Sequence, residues 1–170
     1  MLHKRILAFL IDYLLIAAYA ALLLGLSLVV LGGKEHLPEL GSRPVYGQLI
    51  GALSLTLPVF VYFFLSESGY RRATIGKRCL GIKVEVDELY PAKGVLARTI
   101  FKLLPWEVAH TGVHWLLYFF NRAEDVPPWV WVLLLLPQAM VMYYGITILL
   151  SKGESSLYDR IAGTRIIPQE

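Results

Sequence analysis

The chain has 170 residues, of which 56% are hydrophobic and only 17% are charged, and its mean hydropathy is +0.58. Globular domains carry about 25% charged residues, so this composition excludes a typical soluble protein and indicates an integral membrane protein. The net charge of +3 comes from basic residues clustered in a few segments, which favours a positive-inside topology over nucleic-acid binding. The single Cys79 excludes an internal disulfide and a multi-cysteine zinc site.

The apolar run from Arg5 to Leu31 predicts the first transmembrane helix, and Asp12 lies inside it. A carboxylate near the centre of a bilayer costs about 2.5 to 3.5 kcal/mol on insertion scales, so it is expected to face a protein interior and to have a partner. The run continues well past the small residues at 18–20, so we expect an uncleaved helix rather than a signal peptide. Candidate partners for Asp12 are Arg5, Lys77, Arg98 and Lys102.

Three later apolar segments, 48–65, 105–120 and 129–150, predict transmembrane helices two, three and four. Pro58 lies inside helix two, where a membrane helix tolerates it as a kink. The segment before Pro105 is amphipathic, which predicts an interfacial helix that leads through a kink into a short third span. Gln138, beside Pro137 in helix four, marks a weak candidate for lining a pathway.

Two polar blocks, 74–84 and 156–166, each predict a short helix, a glycine and a strand. Ser155 and Ser156 are candidate N-caps in the second block, and Gly163 is expected to end its helix. The blocks align without gaps, which suggests a pseudo-repeat of 1–90 and 91–170 about an axis along the membrane normal. The alternative is a chance likeness between two similar exits from helical hairpins. The prediction is a single all-α membrane domain with four spans and a two-strand cytoplasmic element.

Basic residues predict the orientation of this domain. Of the 16 Lys and Arg residues, 13 lie at the N-terminus, in the middle segment or in the tail, and only Lys34, Arg43 and Arg122 lie in the other two loops. Four spans with both termini in the cytoplasm satisfy the positive-inside rule. Anionic lipids on that side are the expected partners of the basic side chains Arg71, Arg72, Lys77 and Arg78.

The sharpest polar cluster is Glu107, His110 and His114, which share one helix face. This donor set suits a divalent metal such as zinc, with a fourth ligand from another helix, a partner subunit or water. The alternatives are proton transfer by these groups and histidines that merely bind backbone or lipid headgroups. A metal-dependent membrane hydrolase would use the same trio, but no HExxH motif supports that hypothesis.

Three motifs in order resemble a known family: Arg5 with Asp12, the block 74–84, and Leu157-Tyr158-Asp159-Arg160-Ile161-Ala162-Gly163-Thr164. Together they resemble the RDD family of bacterial membrane proteins, which is named for one arginine and two aspartates. By position these are Arg5, Asp12 and Asp159. The resemblance implies a place in the bacterial inner membrane, and it implies transport, since some members are linked to sodium–proton exchange.

Two main hypotheses follow. In the first, Arg5, Asp12, Asp159 and Glu107 bind the ion or substrate of a small cation or solute transporter, and a pathway needs a homo-oligomer because each chain has only four spans. In the second, the chain is a non-transporting scaffold whose acids and arginines form structural ion pairs. In that case Asp159 docks the tail through Lys77, Arg78 or Arg5.

Overall fold

The computed structural model describes residues 1–30, 43–86 and 91–169. The predicted end of helix one at Leu31 lies outside these residues. The elements in chain order are α1 (Leu2–Val30), α2 (Pro44–Gly51), a π-helical segment (Ala52–Thr56), α3 (Leu57–Ser68), α4 (Ile75–Cys79), β1 (Ile82–Val86), α5 (Pro91–Asn121), α6 (Pro128–Leu150), α7 (Leu157–Ile161) and β2 (Thr164–Pro168).

The predicted, mostly helical membrane fold with a small sheet is confirmed. Within the described ranges, three helices are long and apolar enough to cross a membrane: α1, the continuous helix Pro44–Ser68 and α6. Helix α5 is not among them, although it is 31 residues long. Helix α5 runs without interruption from Pro91 to Asn121 with Pro105 inside it, so the predicted interfacial helix and the predicted third span form one helix, and the kink at Pro105 stays a prediction.

Tyrosines from neighbouring helices explain how two prolines fit inside these helices. A proline has no N–H to donate to the carbonyl four residues earlier, and an unsatisfied carbonyl inside a membrane is costly. Pro105 frees the carbonyl of Phe101, which accepts a hydrogen bond of 2.9 Å from the Tyr144 hydroxyl of α6. The carbonyl of Ser54, four residues before Pro58, likewise accepts a bond of 2.8 Å from the Tyr19 hydroxyl of α1.

The two polar blocks of the sequence form α4 with β1 and α7 with β2. Together they make one compact unit, which we call the polar block from here on. Gly81 and Gly163 end the two short helices with φ of +62° and +60°, a left-handed conformation that glycine adopts without steric cost. Strands β1 and β2 then pair antiparallel, with Val84 opposite Ile166. The buried face of this sheet packs against Ala8, so the first turns of α1 rest on the polar block.

Replacing Tyr144 by Phe is expected to destabilise the fold by about 1–3 kcal/mol, because the Phe101 carbonyl loses its only side-chain donor among the described residues. Thermal unfolding of the detergent-purified protein measures this effect. Tyr143→Phe is the matched control, since Tyr143 is the next residue of α6 and is exposed. Equal midpoints for the two variants would contradict the role given to the Tyr144 hydroxyl.

Candidate functional site

Asp12 is buried, and uncharged donors surround its carboxylate. It accepts hydrogen bonds from the Tyr62 hydroxyl (2.7 Å), the Thr74 hydroxyl (2.6 Å) and the Gly76 N–H (2.9 Å). The predicted pairing of Asp12 with Arg5, Lys77, Arg98 or Lys102 is therefore wrong for the described residues. Three good donors stabilise a buried carboxylate without a cation.

The position of Asp12 follows from a close approach of two helices. The Asp12 side chain of α1 contacts the start of α4. There the first backbone N–H groups have no partner inside the helix, and Thr74 is the N-cap. A Cβ atom at Gly76 would lie 2.1 Å from the Ala8 carbonyl oxygen of α1, so only glycine allows this contact. The hydrogen bonds that Asp12 accepts thus join α1 to the polar block.

Arg5 pairs with Asp159 instead. Its guanidinium forms a buried ion pair with the Asp159 carboxylate and donates to the Gly153 carbonyl and the Tyr158 hydroxyl, both at 3.1 Å. Asp159 also accepts from the backbone N–H and the hydroxyl of Ser156, both at 2.8 Å, which completes a capping box at the start of α7. Arg5 and Asp159 therefore join the beginning of α1 to the tail.

Arg98 of α5 links this pair to a second carboxylate that the sequence reasoning missed. Arg98 is 1% exposed and forms ion pairs with both Asp159 and Glu67, the latter at 2.7 Å. Glu67, at the end of α3, is fully buried and also pairs with Lys77, while Lys102 lies 3.8 Å away. We call this set (Arg5, Glu67, Lys77, Arg98, Lys102 and Asp159) the ionic network.

Two of the predicted lipid-contacting basic residues, buried Lys77 and exposed Arg78, bind groups of the protein itself. Lys77 is buried against Glu67, and burial lowers the pKa of its ammonium group, against the opposing effect of the Glu67 charge. Arg78 donates through Nε to the Ala73 carbonyl at 2.8 Å. Arg71 stays exposed, and Arg72 is half-buried.

The pKa of Tyr158 depends on the net charge of the ionic network, which holds four cationic and two anionic side chains. Burial by itself would raise the pKa of the phenol. The nearby charges of Arg5, Arg98 and Lys102, with the hydrogen bond from Arg5, outweigh burial and lower the pKa of Tyr158 to about 7. The surplus of positive charge explains this direction.

Glu107 lies apart from the ionic network, between α5 and the helix Pro44–Ser68. It accepts a hydrogen bond of 2.7 Å from Gln48 Nε2 and another from the Thr56 hydroxyl. Thr56 is the last residue of the π-helical segment and also accepts from the Trp106 indole at 3.2 Å. Glu107 and Asp12 share none of these donors.

The two predicted metal-ligating histidines contact each other rather than Glu107. Their Nε2 atoms lie 3.2 Å apart, and the ring of His110 packs so closely on Gly51 that a Cβ there would lie 2.2 Å from it. Among the described residues, no three His, Cys, Asp or Glu side chains are placed to hold a metal ion. No hydrogen bond joins Glu107 to His110 or His114 within the described part of the chain, and zinc binding stays a prediction.

Three polar atoms beside Glu107 are buried without a hydrogen-bond partner among the described residues: Gln48 Oε1, His110 Nδ1 and His114 Nδ1. Buried polar atoms are usually paired, so this cluster is suited to accept a proton or a cation. We call Gln48, Thr56, Glu107, His110 and His114 the Glu107 cluster. Gln138 lies outside it, exposed on α6.

Removing one carboxylate from the ionic network is expected to be costly. Glu67→Gln leaves Lys77 and part of Arg98 buried without their counter-charge, so we expect a loss of about 3–5 kcal/mol and a lower unfolding midpoint in detergent. Glu124→Gln is the control, because it removes an exposed pair with Arg122 and is expected to change nothing measurable. A midpoint of Glu67→Gln equal to that of the control would rule out the stabilising role of the network.

The ionisation of Tyr158 gives a pH-dependent signal. Its pKa is about 7 in the folded protein and about 10 in an unfolded chain, so the folded state binds fewer protons between these values. Stability from this group therefore rises with pH across that window and is lost as the pH falls below 7. Ultraviolet titration is expected to show one of the ten tyrosines ionising near neutral pH, and Tyr158→Phe to abolish that step. The same step persisting in Tyr158→Phe would contradict the assignment.

The comparison with protein families identifies the family of the chain. Residues 1–163 match the sequence profile of the RDD family, and this range includes Arg5, Asp12 and Asp159. No curated protein and no solved structure is significantly similar to the chain. Because the match covers nearly the whole chain and confirms the resemblance of the motifs, the chain belongs to the RDD family of membrane proteins.

Proposed function

We propose that this protein crosses a bacterial inner membrane four times, with both termini in the cytoplasm, and moves a cation or a proton through the Glu107 cluster. One observation carries the functional part of the proposal. A carboxylate held by Gln48 and Thr56 lies beside two histidines, and three buried polar atoms of the cluster have no partner. Such a group inside a helical membrane protein is a functional site by default.

Contacts on one side of the molecule support four crossings rather than three. Asp12, near the start of α1, binds the turn after α3, so two crossings separate them. Arg5 binds Asp159, which follows α6, so the tail lies on that same side. An even number of crossings requires α5 to span as well. Its 31 residues correspond to about 46 Å of helix, which is long enough.

Two carboxylates at different depths support a pathway along the helix Pro44–Ser68. Thr56 binds Glu107 and Tyr62 binds Asp12, and these donors are six residues apart, or about 9 Å along the axis. The π-helical segment ends at Thr56, and such segments occur frequently at functional sites. Glu107 is the exchanging group in this proposal, because Asp12 already accepts three hydrogen bonds and Glu107 accepts two.

A likeness between the two halves supports the pseudo-repeat. Thr74 and Ser156 cap short helices, and in each case an aspartate binds the start of the helix, Asp12 from α1 and Asp159 from α7 itself. Val84 and Ile166, equivalent in the alignment of the blocks, also lie opposite each other in the sheet. A two-fold axis through that pair produces this pairing. A homo-oligomer then supplies the remaining walls of a pathway.

The scaffold hypothesis is the alternative, and one observation favours it. Asp12 has three donors, and Arg5, Asp159, Glu67 and Arg98 are joined by ion pairs. The transport hypothesis assigned Arg5, Asp12 and Asp159 to the ion or substrate, and these residues have no reason to bind one if their partners are permanent. In that case the buried acids only hold the helices in place.

Flux through proteoliposomes tests the proposal. Purified protein is reconstituted with a pH-sensitive dye inside, and sodium, potassium or zinc is added outside in turn. A cation-driven pH change is expected from the unchanged protein and at least a tenfold slower one from Glu107→Gln, which keeps the size and hydrogen-bonding ability of the side chain but cannot ionise. Gln138→Leu is the control, since it removes a polar side chain exposed on α6 and is expected to keep the flux.

The outcomes separate the two hypotheses. Flux that is lost in Glu107→Gln and kept in Gln138→Leu supports transport through the Glu107 cluster. Flux that survives Glu107→Gln overturns the assignment of that residue. Absence of flux for all three ions, from protein that elutes as one folded species, favours the scaffold.

A further inference from the structure

A groove of about 480 Å³ lies away from the Glu107 cluster, where the helix Pro44–Ser68 ends. One wall is the turn that follows α3, and the other is the face of the β1–β2 sheet opposite Ala8. Side chains lining both walls include Tyr70, Arg72, Lys83, Glu85 and Ile167. Strand alternation places Lys83 and Glu85 here, since Ile82 and Val84 point to the buried core.

The groove carries an excess of positive charge. Glu85 is the only acidic residue among those lining it, and Arg165 of the neighbouring strand forms an ion pair with it. Arg72 and Lys83 show no ion pair within the described part of the chain. Two cationic groups therefore line one cavity, where an anion bound between them would supply their counter-charge.

The backbone holds Arg72 in an unusual conformation at this place. Its φ is +45°, in the left-handed region that residues other than glycine rarely adopt. Two hydrogen bonds hold it there: the Arg72 N–H donates to the Gly69 carbonyl at 3.0 Å, and its carbonyl accepts from the Val84 N–H at 2.8 Å. Residues kept in such conformations concentrate at ligand sites. The turn therefore positions the guanidinium against the strand that carries Lys83.

The location of the groove indicates the source of the anion. It begins at Ser68, the last residue of a helix apolar enough to cross the membrane, and Tyr70 beside it is fully exposed. Tyrosine is enriched at the level of lipid headgroups, and arginine and lysine there attract anionic lipids. We propose that Arg72 and Lys83 bind the phosphate of an anionic lipid headgroup in this groove, with Arg72 able to bind two phosphate oxygens at once.

Binding of short-chain lipids to the full-length protein in a neutral detergent tests the proposal. Calorimetric titration uses dioctanoyl phosphatidylglycerol, the zwitterionic dioctanoyl phosphatidylcholine and inorganic phosphate as three separate probes. Phosphatidylglycerol is expected to bind at least tenfold more tightly than either of the other two. The test variant combines Arg72→Gly with Lys83→Gln. Glycine relieves the left-handed conformation at 72, so loss of binding is not explained by a failure to fold.

Arg71→Gln is the matched control, because Arg71 is the exposed neighbour and does not line the groove. We expect at least a tenfold weaker affinity for phosphatidylglycerol in the double variant and less than a twofold change in Arg71→Gln. Equal losses in both would show unspecific attraction by basic residues and overturn the site. Inorganic phosphate binding as tightly as phosphatidylglycerol would overturn the lipid assignment in favour of a soluble anion. No detectable binding of phosphatidylglycerol would overturn the proposal as a whole.

Discussion

The architecture depends on one requirement: charges taken out of water must be paired. Arg98 meets it by lying between Glu67 and Asp159, so that α5 touches the end of α3 and the tail together. Arg5 extends the set to the first turn of α1. Apolar helix surfaces discriminate little between neighbours inside a bilayer, because lipid is as apolar as the side chains. The ionic network therefore supplies the directional contacts that choose which helices adjoin.

Directed hydrogen bonds also join the helices to one another at other places. Tyr19 and Tyr144 each donate to a carbonyl that a proline has freed on another helix, so each proline creates a specific docking point rather than a weakness. Asp12 acts in the same way on α4, since it accepts from the first donors of that short helix. Among the described residues, buried side-chain polar atoms with no hydrogen-bond partner occur only at Gln48, His110 and His114, which sets the Glu107 cluster apart from the rest.

The sequence predicted those elements whose signal is local. The helix ending at Leu150, the glycines that end α4 and α7, and both short strands follow from apolar runs, caps and alternation, and the structure has them within a few residues. The hydrogen bond that the Phe101 carbonyl accepts was not predictable, because its donor Tyr144 follows Phe101 by 43 residues. The spacing of Glu107, His110 and His114 correctly placed them on one helix but could not show which neighbours each side chain binds.

Partner choice among the charged residues was the least predictable part. The charge of Asp12 suggested a cationic partner, but in the fold it accepts from two hydroxyls and a backbone N–H. A pattern of charged residues in the sequence cannot identify such uncharged donors. Glu67 looked like the ordinary polar end of an apolar helix. The available signal was that eight basic residues follow Glu67 in the segment 68–102. The sequence could not show which of them the fold brings back to Glu67. The family motif marked Arg5 and Asp159 but did not state that they bind each other.

The ion pair between Arg5 and Asp159 has a consequence for how the protein is made. Its two residues are 154 positions apart, so the ribosome synthesises nearly the whole chain before the arginine meets its carboxylate. Until then Arg5 lacks this partner, and α1 lacks its ion pair to the tail. A chain that stops before residue 159 lacks the carboxylate that pairs with Arg5, and a buried arginine without its counter-charge strongly destabilises a fold.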